Sequence, residues 1–98
     1  MPICHVVTFK FSSNVTSETV DAMYDALESF SATFPGIESY RHRIDLDLRP
    51  GTADYGIAAV FADQEALCTY LTDGRHLQIG SDFAPFVASK SSTQFKVD

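Results

Sequence analysis

The run Ile3-Cys4-His5-Val6-Val7-Thr8-Phe9-Lys10-Phe11 constrains this chain more than any other stretch. It is rich in β-branched and aromatic residues and free of Gly and Pro, the composition of a strand. Ile3, His5, Val7, Phe9 and Phe11 point one way, and Cys4, Val6, Thr8 and Lys10 the other. Both faces are largely apolar, as in a central strand covered on both sides. A chain of 98 residues makes a single domain, 1–98. It buries roughly 65% of its unfolded surface on folding, which leaves modest stability. One layer of helices covers one face; a second copy of the chain is the simplest cover for the other.

The next signals are helical. Ser12-Ser13-Asn14 forms a turn, and Thr16 or Ser17 caps a helix whose first turns carry Glu18 and Asp21 at the positive end of its dipole. Val20, Met23, Tyr24, Leu27, Phe30 and Phe34 recur at three- and four-residue spacing, and Pro35-Gly36 ends the helix. A second strand then alternates cleanly. Tyr40, His42, Ile44, Leu46 and Leu48 lie on one face and Arg41, Arg43, Asp45, Asp47 and Arg49 on the other. After Pro50-Gly51, residues Asp54 to Phe61 form a third strand. Asp63 caps a second helix from Gln64 to about Thr72, which Asp73-Gly74 breaks. A third helical stretch runs from about Arg75 to Ala88, weakened by Gly80 and Pro85. Ser91 to Val97 reads as the last strand.

Strand, helix, strand, strand, helix, strand is the α+β, ferredoxin-like βαββαβ order: a four-stranded antiparallel sheet with its helices on one face. Seven basic residues scattered against thirteen acidic ones, for a net charge of −6, exclude a nucleic-acid surface. No apolar run approaches the roughly 20 residues that span a bilayer, and no basic amphipathic helix points to a membrane surface. The amino terminus lacks the pattern of a secretory signal, and Cys4 and Cys68 read as small buried thiols, so the expected compartment is the cytoplasm.

The best chemical lead is His76, six residues after Tyr70 and just past a helix end. Imidazole titrates near physiological pH, so a ring held at an element end can exchange a proton with a ligand, and a nearby phenol can orient that ligand. His5 shares a strand face with large hydrophobes. Tyr24, Tyr55, Phe30 and Phe83 are candidate linings for a pocket holding an aromatic or polyketide-like compound. His42 lies on an apolar face and reads as core or interface packing. Three histidines without HxH, HxxxH or HExxH spacing give no local metal pair. The glycines are isolated, so no phosphate loop is present, and Ser91-Ser92 has no nucleophile-elbow context.

Along nearly its whole length the chain resembles the stress-responsive A/B barrel family, a branch of the dimeric α/β barrels. The resemblance rests on His5 to Phe11, on Pro35-Gly36-Ile37, on Asp54 to Phe61, and on the capped helix leading to Tyr70-Leu71 and His76. It implies a homodimer whose two sheets pack face to face into a barrel, each subunit keeping a pocket between sheet and helices. Some members resemble cofactor-free enzymes, among them a hydroxynitrile lyase and a polyketide cyclase (olivetolic acid cyclase-like) that closes a ring by aldol condensation. The cyclase branch implies catalytic roles for Tyr70, His76 and His5. Two departures stand out: Asp73-Gly74-Arg75-His76 replaces His-Pro-x-His, giving a flexible approach to the histidine, and Tyr55 stands where the cyclase has a pocket histidine.

The leading expectation is therefore a cofactor-free lyase or cyclase acting on a small hydrophobic or aromatic carbonyl compound, with no metal. One alternative is a non-catalytic, stress-responsive dimer that holds a hydrophobic ligand in the same pocket. The second is a monooxygenase of the related barrel class. Its haem-degrading branch uses a tryptophan, which this chain lacks.

Overall fold

The computed structural model describes residues 1–97 and contains β1 (Ile3–Phe11), α1 (Ser17–Thr33), β2 (Ile37–Ile44), β3 (Tyr55–Phe61), α2 (Gln64–Thr72), α3 (Gly74–Phe83) and β4 (Val87–Lys96). A single 3-10 turn, Ala84–Phe86, links α3 to β4. The four strands form one antiparallel sheet in the order β2-β3-β1-β4. This is the expected ferredoxin-like α+β arrangement, with the helices on one face.

Local chemistry explains the boundaries. Thr16 caps α1 by accepting a hydrogen bond from the Thr19 amide, and Asp63 caps α2 through the Ala66 amide; each such cap stabilises its helix by about 1 kcal/mol. Gly36 turns the chain into β2 at φ +91°, and a Cβ there would meet the Ala66 Cβ at 2.8 Å. Only glycine allows both that backbone and the close approach of α2.

Four expectations need correction. The second strand starts at Ile37 and stops at Ile44, so Leu46 and Leu48 are not strand residues; they are 78% and 82% exposed. The alternation that pointed to a longer strand continues into a loop in which Asp47 adopts φ +58°. The third helix ends at Phe83, where Pro85 forces the tighter 3-10 turn, and β4 begins at Val87 rather than Ser91. Ladder pairing with β1, from Phe11↔Val87 onward, recruits polar residues that propensity alone would leave in a loop. Cys68 is exposed on α2, while Cys4 is half-buried.

The core lies between sheet and helices. Val7, Phe9, Tyr55 and Ile57 meet Met23 and Leu27 of α1, while Ile3, Ala59 and Phe61 meet Phe30, Phe34, Leu67 and Tyr70. On the other sheet face, Cys4 and Val6 of β1 are only half-buried and Thr8 is exposed. The second cover that β1 calls for is not supplied by this chain.

Candidate functional site

The register of β1 and β4 builds the floor of a cavity. His5, Val7 and Phe9 face the helices, and their cross-strand partners Gln94, Ser92 and Lys90 share that face. Met23 and Leu27 of α1 form one wall, and Tyr70 and Leu71 of α2 another. His76, Ile79, Gly80 and Phe83 of α3 roof it. The cavity is open on one side, its volume is about 380 Å³ and its lining is mostly apolar, dimensions of a small-molecule site.

His76 and Tyr70 come together on this cavity, with ring centroids 4.4 Å apart. Tyr70 is 1% exposed and packs on Phe61 and Phe30. Its hydroxyl lies 2.8 Å from that of Tyr40. Burial raises the pKa of both phenols, so both stay protonated at neutral pH. The Nδ1 of His76 is buried without a hydrogen-bond partner among the described residues. Burial lowers the His76 pKa below its ordinary value, opposed by the Leu71 backbone and by Asp73, and reinforced by Lys90. The ring is therefore neutral at pH 7, in the form that accepts a proton.

The approach to His76 is a helix start: the Asp73 carboxylate accepts from the Arg75 amide at 2.8 Å and from its guanidinium at 3.2 Å, so α3 begins directly after α2. His5 lines the same cavity. The Gln94 side-chain amide donates to its Nδ1 at 3.0 Å, which places the ring proton on Nε2. Burial, His76 and Lys90 all lower the His5 pKa.

Of the four suggested lining aromatics, Phe83 borders the cavity. Phe30 stands behind it, against Tyr70 and His76. Tyr24 and Tyr55 lie elsewhere, because their positions on α1 and β3 direct them to a second cluster around His42. There the His42 Nε2 donates to the Glu28 carboxylate at 2.7 Å, and the Tyr55 hydroxyl donates to Nδ1 at 2.7 Å. His42 is 2% exposed. Burial, with Tyr24 and Glu28 nearby and Arg43 opposing, pushes the Tyr55 pKa up to about 12. Reading His42 as core packing was sound; its hydrogen-bonded partners were not foreseen, since Glu28 lies 14 residues away on another element. Lys90 and Ser92 also border the cavity without having been expected there: Lys90 lay outside the expected last strand, and Ser92 lay inside it but its polar run gave no sign of which face meets the helices.

A family model described as the stress responsive A/B barrel domain matches residues 3–97. The chain belongs to that family. Among solved structures, a dimeric ferredoxin-like protein of unknown function from Thermobifida fusca is 26% identical, with a TM-score of 0.92, covering 99% of this chain and 92% of its own. A dimeric protein of unknown function from Bacteroides fragilis is 20% identical, with a TM-score of 0.82 and coverage of 98% and 96%. A hydroxynitrile lyase from Passiflora edulis is 12% identical, with a TM-score of 0.86 and coverage of 99% and 94%. At such identities the last two likenesses show the A/B barrel fold alone. No curated protein matches the chain in sequence.

No group of three or more His, Cys, Asp or Glu side chains is placed to hold a metal ion among the described residues. No helix among them is long and apolar enough to cross a membrane.

Proposed function

We propose that this A/B barrel protein is a cofactor-free lyase or cyclase acting on a small hydrophobic carbonyl compound in the cavity, with His76 as the acid–base group. The observation that carries the reading is a neutral imidazole with an unpartnered buried nitrogen, 4.4 Å between ring centroids from a protonated phenol, on one apolar hollow. In an aldol closure, His76 takes the proton from the carbon beside a carbonyl. The resulting enolate carbon attacks a second carbonyl, and the new alkoxide takes the proton back from the imidazolium. Atoms and charge balance without a co-reactant. Lyase turnover is the same path in reverse.

Tyr70 donates to the carbonyl oxygen as negative charge grows on it. Tyr40 keeps that proton available by donating its own to the Tyr70 oxygen. Such proton transfer contributes typically ~10²–10⁴-fold. The Passiflora edulis structure, a hydroxynitrile lyase on the same fold, makes carbon–carbon lyase chemistry a natural class for this scaffold. His5, oriented by Gln94, faces the same guest as a secondary polar contact.

The working form is a homodimer joined through the open sheet face. Val6, Ala58 and Val60 are carried there by the β1 and β3 register, and Phe95 is 53% exposed. Similar structures are described as dimeric. Sedimentation at micromolar concentration checks this, with Phe95→Asp expected to shift the population to monomer.

Release of benzaldehyde from its aldol with acetone, followed by absorbance, tests the chemistry. Turnover by the wild type and none by His76→Ala supports it; equal turnover by both ends it. The non-catalytic reading, a ligand-holding dimer, predicts thermal stabilisation by phenylacetone in both proteins with no product from the aldol.

A further inference from the structure

We infer that the guest of this cavity is an anion, a hydrophobic carbonyl acid. The Lys90 ammonium and Ser92 hydroxyl hold its carboxylate at the mouth, and its carbonyl reaches inward to His76 and Tyr70. The inference rests on the proposed function above and names the substrate class for the same site.

Among the described residues, Lys90 is the one residue of lasting charge lining the cavity, since burial lowers the pKa of both His5 and His76. It stands on β4 opposite Phe9, and Ser92 stands opposite Val7, so both side chains share the helix-facing side of the sheet. Two residues along a strand place their Cα atoms about 6.6 Å apart. A carboxylate can bridge an ammonium and a hydroxyl at that spacing.

Lys90 is exposed while bordering the cavity, so its head lies where cavity meets solvent. Among the described residues it forms no ion pair, a state it shares with every Lys and Arg except Arg75, which pairs with Asp73; what sets Lys90 apart is its place on the cavity rim. An unneutralised cation at the rim of an apolar hollow, in an acidic protein, selects a guest of opposite sign.

Occupancy would also tune the base. Lys90 lowers the pKa of both cavity histidines. A bound carboxylate cancels that charge and raises the proton affinity of His76 at the moment a substrate is present. Binding and base strength are thereby coupled through one side chain.

Titration calorimetry with two probes tests this: phenylpyruvate, and phenylacetone, in which a methyl replaces the carboxylate. Wild-type protein should bind phenylpyruvate about tenfold more tightly, the order expected from one hydrogen bond to a charged group. Lys90→Gln should remove that preference while leaving phenylacetone affinity within about twofold, and Lys90→Arg should restore most of it. Rising salt should weaken phenylpyruvate binding selectively. If phenylacetone binds wild type as tightly as phenylpyruvate, the anion inference is overturned and the cavity reading stands. If Lys90→Gln keeps the full preference, the assignment to Lys90 is overturned. Binding of neither probe overturns the cavity reading and this inference with it.

Discussion

Two regions of this molecule bring imidazole and phenol together, and they differ in what surrounds the pair. Around His42 both ring nitrogens are bonded: the Glu28 carboxylate, the imidazole and the Tyr55 hydroxyl form one chain of 2.7 Å contacts. Around His76 the ring borders a hollow of about 380 Å³, and its Nδ1 has no hydrogen-bond partner among the described residues. The first arrangement has used its hydrogen-bonding capacity internally, both ring nitrogens of His42 being bonded to protein partners. The second retains unmet capacity beside empty apolar volume. Satisfied valence marks a structural cluster, and unsatisfied valence next to space marks a candidate site.

Substituting His76 with Ala puts the contrast under the greatest strain. Turnover should fall by ~10²–10⁴-fold, with the melting temperature and dimer population nearly unchanged. His42→Ala should do the reverse. It strands the Tyr55 hydroxyl and opens a void, for a loss of about 2–4 kcal/mol in denaturant unfolding. A His42 variant of full stability would mean that the cluster is not structural.

The pH response separates the two regions further. His5 and His76 are neutral in the folded protein, and their pKa values lie below the ordinary 6.5. The unfolded chain therefore takes up protons first as pH falls, and stability drops progressively below about pH 6.5. The acid limb of kcat/KM should likewise lie below that value, since His76 stays a free base until its lowered pKa is crossed. A limb above pH 7 would exclude His76 as the base. Replacing both residues with Asn should flatten the stability profile in that window.

Tyr55→Phe carries the smallest expected effect, about 1–2 kcal/mol from the lost bond and the unsatisfied His42 nitrogen. Activity should hold, because Tyr55 does not border the cavity. Loss of turnover in that variant at unchanged stability would show that the two regions are coupled, through Tyr40 and Tyr70.

The contrast also shows why the site was only partly legible. His76 and Tyr70 stood out through imidazole and phenol chemistry beside a helix end, and His5 joined them only as what the family resemblance implies. Lys90 and Ser92 escaped notice because β4 is polar and gained its first residues by pairing with β1. Tyr24 and Tyr55 were offered to the cavity on aromatic character alone. Position along β3 sent Tyr55 toward β2, where the register sets His42 opposite Ile57. Likewise the alternation of Tyr40 to Arg49 continued past the true strand end, since side-chain pattern cannot report where a ladder partner runs out.

What the sequence determined by itself was the order of elements, the two-faced apolar first strand, the helix starts near Thr16 and at Asp63, and hence the fold. Those are short-range properties, set by period, capping and backbone stereochemistry. The tertiary structure alone decided which histidine is mated and which is left facing open volume. That outcome depends on residues from different elements, Glu28 with His42 and Lys90 with His76, whose meeting is settled only when the elements pack.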